Sequence, residues 1–397
     1  MIRLLVSLCF LILSAFSASA LQLGIDRLQE MNFAQLSGKR VGLITNQTGV
    51  NSSGVKTRLI LFRARGVKLV ALFTPEHGLD GNEPAGRYVA SRKDRVTGLT
   101  AHSLYGPTRK PTPAMLRGID ALVFDMQDIG CRSYTYISTM AKCMEAAGEA
   151  GIEFMVLDRP NPLGGIRVEG PPMEPRWISF VGQLPVPYVH GMTVGELARM
   201  TNASGWTTAR CKLSVIEMRD WNRRMTWPET GLRWVQTSPN IPRATSPFYY
   251  VVTGLAGELA GLETGVGGAN PFEVIASRSL DARTFTNHLK NLQIPGVQFT
   301  PYIDGPWQGA RIQIDPNNAG NLTALGIAML AECNRQAKPN LFTSSPASKL
   351  ELFFKCYGSQ SIRSQLERST PVPRIVQAWQ ATIERFESAR GPHLLYR

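Results

Sequence analysis

ALVFDMQDIGCRSYTY, residues 121–136, opens with four apolar residues and then changes abruptly to polar ones. A short continuous apolar run is typical of a buried strand in a parallel sheet. The polar and aromatic residues that follow are Asp125, Gln127, Asp128, Arg132, Tyr134 and Tyr136. Ligands of open α/β sheets bind beyond the carboxyl ends of the strands, so these side chains are candidates for a binding site. The alternative interpretation is a polar turn that contains a structural Asp–Arg pair.

Two other apolar runs end in the same way. Residues 67–73 lead into a Pro-Glu-His-Gly turn, and residues 153–157 lead into an Asp-Arg-Pro-Asn-Pro turn. Between the runs, residues 133–148 carry apolar side chains at the three- and four-residue spacing of a helix. This alternation of strand, helix and strand predicts an α/β fold with a parallel sheet covered by helices.

The pattern changes about two thirds of the way along the chain. A helical pattern at residues 280–292 is followed by short strand patterns and, at the end, by an amphipathic helix at residues 375–390. We predict an α/β catalytic domain at residues 21–274 and a smaller α+β domain at residues 275–397.

The first twenty residues have the three parts of a secretory signal. Arg3 gives a basic start, residues 4–16 are apolar, and Ala-Ser-Ala at residues 18–20 forms a small-residue cleavage site. We therefore predict a signal peptide at residues 1–20, cleaved near Ala20, and a protein that is exported to the periplasm or secreted. No later stretch is long and apolar enough to span a bilayer, so stable membrane insertion is not expected.

The chain is basic, with a formal net charge of +13 at pH 7. This charge suits an anionic partner, but the basic residues occur as dispersed pairs and not as blocks. Neither a basic helix nor zinc-finger spacing is present, so nucleic-acid binding is not expected.

Several site classes lack their motifs in this sequence. The Gly-rich run at residues 265–268 is not followed by Lys-Ser or Lys-Thr, so it is not a phosphate loop, and no cofactor is predicted. G-x-S-x-G, H-E-x-x-H and C-x-x-C are all absent, which excludes the usual esterase elbow, zincin and thiol redox motifs, and no metal site is predicted. Five cysteines follow the signal, an odd number that leaves at least one unpaired.

Glu76 is the candidate catalytic acid. Pro75 restricts the backbone where the apolar run ends, and Gly78 allows a sharp turn at little steric cost. A partly desolvated carboxyl held there can serve as a general acid. The alternative is that Glu76 caps the next helix. The neighbouring His77 is a candidate for binding substrate or for a structural hydrogen bond.

The candidate cleft residues suit a sugar. Amides and carboxylates bind hydroxyl groups, and aromatic faces cover the apolar faces of sugar rings. Arg132 would suit a sugar that carries a carboxylate, because a guanidinium offers two parallel donors. Alternatively, Asp125 or Asp128 holds Arg132 in a structural ion pair.

Specific strings of the sequence resemble one known family. They are GKRVGLITNQTGV, LFTPEHGLDG, FDMQDIGCRSYTYISTM, LDRPNPLGG with VEGP, and SPNIPR, and together they extend over nearly the whole mature chain. They resemble the exo-β-N-acetylmuramidase family typified by NamZ, formerly a domain of unknown function. The resemblance implies a Rossmann-like domain, a smaller C-terminal domain and an active site in the cleft between them.

The resemblance also implies the reaction and the residues that carry it. The reaction would release terminal β-1,4-linked N-acetylmuramic acid from peptidoglycan fragments, so the expected partners are muramyl saccharides. The catalytic Glu of the family falls on Glu76, and the Glu that follows the family's Asp-Arg-Pro-Asn-Pro motif falls on Glu169. The matching substrate-binding residues would be Asn46, His77, Asp125, Gln127, Asp128, Arg132, Tyr134, Tyr136, Asp158, Asn161 and Asn240.

Glycosidases pair a general acid with a second carboxylate. The candidates for that second group are Asp125, Asp128, Asp158, Glu169 and Glu258. We predict Glu169, which follows a Gly-rich loop that can fold back over the strand ends, with Asp128 as the next choice.

The segment GELAGLETGVGGANPFE, residues 257–273, departs from the family pattern. Glu258 matches the first Glu of the run E-G-T-N-x-S-x-G-R-G-T-T, whereas the Asn and Arg of that run are missing. The leading alternative function is a non-catalytic periplasmic protein that binds sugars or muropeptides. A cell-wall amidase or esterase would need a nucleophile or metal set, and the sequence shows neither.

Overall fold

The computed structural model describes residues 21–397, so the predicted signal peptide lies outside the described residues. The strands of the larger sheet are β1 (Arg40–Thr45), β2 (Lys68–Thr74), β3 (Arg92–Lys93), β4 (Thr100–Ser103), β5 (Ala121–Asp125), β6 (Glu153–Leu157) and β7 (Lys212–Ile216). Their spatial order is β3-β4-β2-β1-β5-β6-β7. All neighbours pair in parallel except β3, the short antiparallel strand at one edge.

Helices cover this sheet, as the sequence predicts for an α/β fold. They are α1 (Gly24–Glu30), α2 (Thr57–Arg63), α3 (Pro113–Leu116), α4 (Tyr136–Ala150) and α5 (Val194–Ser204). The helix predicted from residue 133 begins instead at Tyr136, because Cys131 pairs with Val189 and accepts the Tyr134 N–H in a turn. Gly151 ends α4 in a left-handed conformation, which glycine adopts without a Cβ penalty.

A small antiparallel sheet and several helices form the C-terminal part. Its strands are β8 (Val274–Ser277), β9 (Val297–Asp304) and β10 (Trp307–Ile314), in the order β8-β10-β9. Its helices are α6 (Ser246–Thr253), α7 (Ala282–Lys290), α8 (Leu322–Gln336), α9 (Leu341–Ser344), α10 (Ala347–Tyr357), α11 (Ser361–Glu367) and α12 (Val372–Arg390). The predicted α+β composition is confirmed. Strand β8 includes the residues on both sides of the domain boundary predicted between 274 and 275.

The main hydrophobic core is continuous between the two parts. It runs from Phe124 in β5 through Phe248 in α6 to Phe285 in α7 and Phe353 in α10, all of them buried. Full burial of each such side chain stabilises the fold by about 1.5–3 kcal/mol. The two parts are therefore packed against each other, and the carboxyl ends of the parallel strands face residues of the C-terminal part.

The cysteines of the described chain take part in this packing. Each is buried and none forms a disulfide, namely Cys131, Cys143, Cys211, Cys333 and Cys356. At these positions the thiols act as small apolar groups.

Candidate active site

A pocket of about 590 Å³ lies where the ends of the parallel strands meet the C-terminal part. The larger domain contributes Glu76, His77 and Tyr105 to its wall, and the segments around α6 contribute Asn240, Tyr250, Glu258, Glu263 and Phe272. A cavity of this size at the carboxyl edge of an α/β sheet is suited to a small ligand or sugar unit.

Glu76 lies in the turn after β2 and is only 7% exposed. One carboxylate oxygen accepts the Gly86 N–H at 2.8 Å, and the other accepts the Thr135 hydroxyl at 2.7 Å. No helix begins in the chain between Glu76 and α3, so the proposed capping role is not what holds this carboxyl. The two donors orient Glu76 towards the pocket that it lines.

His77 and Asn240 lie in the same pocket wall. His77 has a left-handed backbone with φ of 68°, which is uncommon for a residue with a side chain, and its Nδ1 lies 2.7 Å from the Glu83 carbonyl oxygen. The Asn240 side-chain oxygen accepts the Gly267 N–H at 3.2 Å. His77 therefore has its Nδ1 engaged by the chain and its other ring nitrogen left for a ligand.

Aromatic side chains form much of the remaining wall. The rings of Tyr134 and Tyr250 pack edge to face at 6.3 Å, and those of Tyr250 and Phe272 at 5.0 Å. Tyr134 donates its hydroxyl to Thr237 Oγ1 at 2.9 Å, and buried Tyr136 donates to the Thr237 carbonyl at 2.5 Å. These bonds fix the loop that brings Asn240 into the pocket, and the aromatic side chains that line the pocket suit sugar C–H surfaces.

Two further carboxyls line the pocket. Glu258 ends a short 3-10 turn after α6, and Glu263 pairs through its backbone with Ala276 of β8. Burial raises the pKa of Glu258, the ammonium of Lys349 acts against this rise, and the nearby Glu76 carboxylate adds to it. Glu263 instead accepts the Gly265 N–H at 2.6 Å. The pocket thus brings together three carboxyls from both parts of the chain.

Comparison with known proteins identifies the family. A family model described as "Exo-beta-N-acetylmuramidase NamZ, N-terminal" matches residues 41–245, and the corresponding C-terminal model matches residues 248–396. The chain belongs to the NamZ exo-β-N-acetylmuramidase family. It is 40% identical over 384 residues to the peptidoglycan beta-N-acetylmuramidase NamZ of Bacillus subtilis, a match that covers 94% of this chain and 91% of that protein.

Two solved structures share the fold of this NamZ family member. Both are DUF1343 family proteins of Bacteroides fragilis. One superposes with a TM-score of 0.88 at 41% identity, covering 95% of this chain and 99% of the other. The second has a TM-score of 0.73 at 26% identity, covering 96% of this chain and 99% of the other. These matches confirm the fold class that the sequence predicts.

In this NamZ family member, Arg132 does not line the pocket, although we expected it in the cleft. It is fully buried, and its guanidinium donates to the carbonyls of Pro171, Val186, Cys356 and Tyr357 at 2.6–3.1 Å. This geometry favours a structural role. The partners are backbone carbonyls that tie the two parts together, and neither Asp125 nor Asp128 pairs with Arg132.

A buried ion pair does form at the strand ends, but between Asp125 and Arg159, with Arg159 Nε 2.6 Å from a carboxylate oxygen of Asp125. Two predicted binding residues lie beside this pair. Asn46 accepts the N–H and the hydroxyl of Thr48, and Gln127 donates to two carbonyls, one of them that of Pro160. These side chains are buried at the strand ends and do not line the pocket.

Glu169, our predicted second catalytic group, also lies outside the pocket. It is buried, pairs with Arg167, and accepts the N–H of Thr323 at 3.0 Å in the first turn of α8. A carboxylate at this point satisfies a free N–H and interacts favourably with the helix dipole. The contacts are those of a capping group that joins the two parts of the chain.

The Asp-Arg-Pro-Asn-Pro turn has a comparable structural use. Asp158 accepts the Thr193 hydroxyl and the Gly195 N–H at the start of α5, each at 2.8 Å. Asn161 donates to the Met192 carbonyl at 3.0 Å and accepts the Leu163 N–H at 3.0 Å. Burial raises the pKa of Asp158 to about 7, while its donors act in the opposite direction.

Asp128, the next choice after Glu169 for the second catalytic group, is also buried and does not line the pocket. One carboxylate oxygen accepts the Gly130 N–H at 2.7 Å, and the other oxygen has no partner among the described residues. Burial raises its pKa to about 7.

Sequence reasoning missed Thr135 and Tyr105. Thr135 lies within residues 121–136, but no sequence pattern sets it apart from its neighbours or pairs it with Glu76. Tyr105 lines the pocket, and burial followed by the Glu76 carboxylate raises the pKa of its hydroxyl. The Arg109 guanidinium lies 3.4 Å from the Tyr105 ring centroid, a contact that only the folded chain shows.

Proposed function

We propose that this chain hydrolyses the β-glycosidic bond of a terminal N-acetylmuramic acid residue in peptidoglycan fragments during cell-wall turnover. Membership of the NamZ family and the 40% identity to a peptidoglycan beta-N-acetylmuramidase support the reaction class. The observation within the chain that carries the proposal is Glu76, a carboxylate fixed by two donors in a pocket with aromatic walls.

The pocket fits the chemical demands of this reaction. Glycoside cleavage passes through a transition state resembling an oxocarbenium ion, which nearby carboxylates stabilise while a carboxylic acid protonates the leaving oxygen. Glu76 and two further carboxyls are available for this purpose. Tyr134 and Tyr250 provide aromatic surfaces for the sugar, and Asn240 provides an amide for its hydroxyl or acetamido groups.

The export of this enzyme is part of the proposal. The basic, apolar and small-residue segments at residues 1–20 support it, and peptidoglycan lies outside the cytoplasmic membrane. In residues 21–397 no helix has the length and apolar character needed to cross a bilayer. Expression of the full chain, followed by N-terminal sequencing of the exported form, should locate cleavage near Ala20; an uncleaved cytoplasmic product would contradict export.

Turnover of two chromogenic substrates tests the activity. The wild-type protein should release 4-nitrophenol from the β-N-acetylmuramide much faster than from the matching glucosaminide. Glu76→Gln should keep its fold and lose at least about 10²-fold in turnover on a disaccharide with an unactivated leaving group. Glu153→Gln, in a surface ion pair at the amino end of β6, is the matched control and should retain activity. Saturable binding of muramyl saccharides without turnover would instead identify a binding protein.

A further inference from the structure

A retaining or inverting glycosidase uses two carboxyls that flank the bond being broken. Three carboxyls line the pocket, those of Glu76, Glu258 and Glu263, whereas Glu169 lies outside it. Glu76 comes from the end of β2, and the other two come from the segment that joins α6 to β8. A sugar in the pocket would therefore have carboxyls contributed by both parts of the chain.

The surroundings of these carboxyls differ. Donors hold Glu76 on both oxygens, through Gly86 and Thr135, and Glu263 accepts a short bond from the Gly265 N–H. An ionised carboxylate accepts hydrogen bonds and has no proton to donate, so these arrangements suit the charged form. Glu258 has no hydrogen-bond donor or ion-pair partner among the residues of the described chain, and its side chain is half-buried in the pocket.

Burial and the nearby charged groups change the pKa of Glu258 in different directions. Burial is the largest influence and raises its pKa, and the Glu76 carboxylate, which lines the same pocket, acts in the same direction. The one opposing charge is Lys349, an exposed residue near the start of α10. Two carboxyls in contrasting environments are the pattern by which glycosidases separate the proton donor from the carboxylate.

We propose that Glu258 is the second catalytic carboxyl and the proton donor, and that Glu76 is the ionised carboxylate that stabilises the positive charge developing at C1. This assignment rests on the proposed function and exchanges the role that the sequence suggests for Glu76. The Glu258 proton passes to the glycosidic oxygen, and the electron pair of the breaking C1–O bond leaves with that oxygen. Water supplies the new hydroxyl at C1, and its remaining proton passes to the Glu258 carboxylate, so the reaction consumes one water and restores both groups.

Leaving-group dependence tests the assignment. Glu258→Gln cannot donate a proton, so it should lose at least about 10²-fold on a muramyl disaccharide and much less on a dinitrophenyl muramide, whose leaving group needs no protonation. Glu76→Gln should lose activity on both substrates, and azide should restore turnover to Glu76→Ala by forming the α-glycosyl azide. Thermal unfolding of each variant establishes that the fold is retained.

The pH profile provides a readout that a structural role would not change. The basic limb of kcat/KM should disappear in Glu258→Gln, because that limb reports the proton donor of the free enzyme. Glu153→Gln, which changes a carboxylate outside the pocket at the amino end of β6, is the control and should keep both limbs. If Glu258→Gln turns over at the wild-type rate with an unchanged pH profile, this assignment alone is overturned. If the wild-type protein itself shows no turnover, the proposed function is overturned. An activated substrate that rescues Glu76→Gln and not Glu258→Gln would reverse the two roles.

Discussion

Thr135 donates its hydroxyl to the Glu76 carboxylate at 2.7 Å, across 59 positions of sequence. Thr135 is the residue before α4, and Glu76 lies in the turn after β2, so the bond joins two of the polar segments that follow buried strands. The second carboxylate oxygen is held by a backbone N–H, that of Gly86. Removal of the hydroxyl therefore leaves Glu76 with one of its two fixed donors.

Thr135→Val should lower kcat/KM for a muramyl disaccharide by about tenfold or more, because a hydrogen bond to a charged group contributes about 1.5–3 kcal/mol. Thr135→Ser keeps the hydroxyl and should restore most of the rate. Steady-state kinetics of both variants, with thermal unfolding as the check on folding, would measure this effect. Equal rates for the Val and Ser variants would show that the hydroxyl does not position Glu76.

Arg132→Met should destabilise the protein and leave substrate choice unchanged. The substitution removes a buried cation that satisfies four backbone carbonyls, and unsatisfied buried acceptors cost about 1–3 kcal/mol each before relaxation. We expect the free energy of unfolding in urea to fall by about 3 kcal/mol. The ratio of muramide to glucosaminide turnover, measured per folded molecule, should stay at the wild-type value; a narrowed ratio would restore Arg132 to substrate binding.

Glu169→Gln should remain active. The amide oxygen can still accept the Thr323 N–H at the start of α8, while the ion pair with Arg167 is lost. Turnover should stay within about threefold of wild type and the free energy of unfolding should fall by about 1 kcal/mol, the typical effect of weakening a helix cap. Thr323→Val, which removes a second donor to the same carboxylate, is a control for stability. A folded Glu169→Gln protein without turnover would make Glu169 catalytic after all.

The sequence predicts the sheet because its strands are continuous apolar runs. The predicted bounds of residues 153–157 match β6, since such a run has few alternatives to a buried strand. The position of Glu76 follows from the same logic, as a residue just beyond a strand end.

The uses of the other polar residues depend on contacts that no local pattern reveals. Glu169 meets a helix that begins more than 150 positions later, and Arg132 meets carbonyls from residues 171, 186, 356 and 357. Buried polar groups require partners, but the sequence does not show whether a ligand or a distant backbone provides them. Glu258 enters the pocket from a segment with no strand-end signal, so its position depends on how the two parts pack.

Asp128 should make stability depend on pH in a direction opposite to that of an ion-paired carboxylate. Burial raises its pKa in the folded protein from 3.8 to about 7, so the folded state retains the proton over a range in which the unfolded chain has lost it. The stabilisation from the neutral form is complete below the unfolded value, declines as pH rises from 3.8, and is lost once pH passes about 7.

Asp128→Asn imitates the neutral form at every pH and should keep an acceptor for the Gly130 N–H. In urea unfolding at intervals between pH 4 and pH 8.5, the free energy of unfolding of the variant should therefore rise relative to that of wild type, by up to about 1.4 kcal/mol per pH unit, until the pH is neutral. Above neutral pH the difference between the two free energies should stay constant. Titrations common to both proteins cancel in this difference. A difference that stays flat across the range, or that grows in favour of wild type, would mean that Asp128 is already ionised in the folded protein.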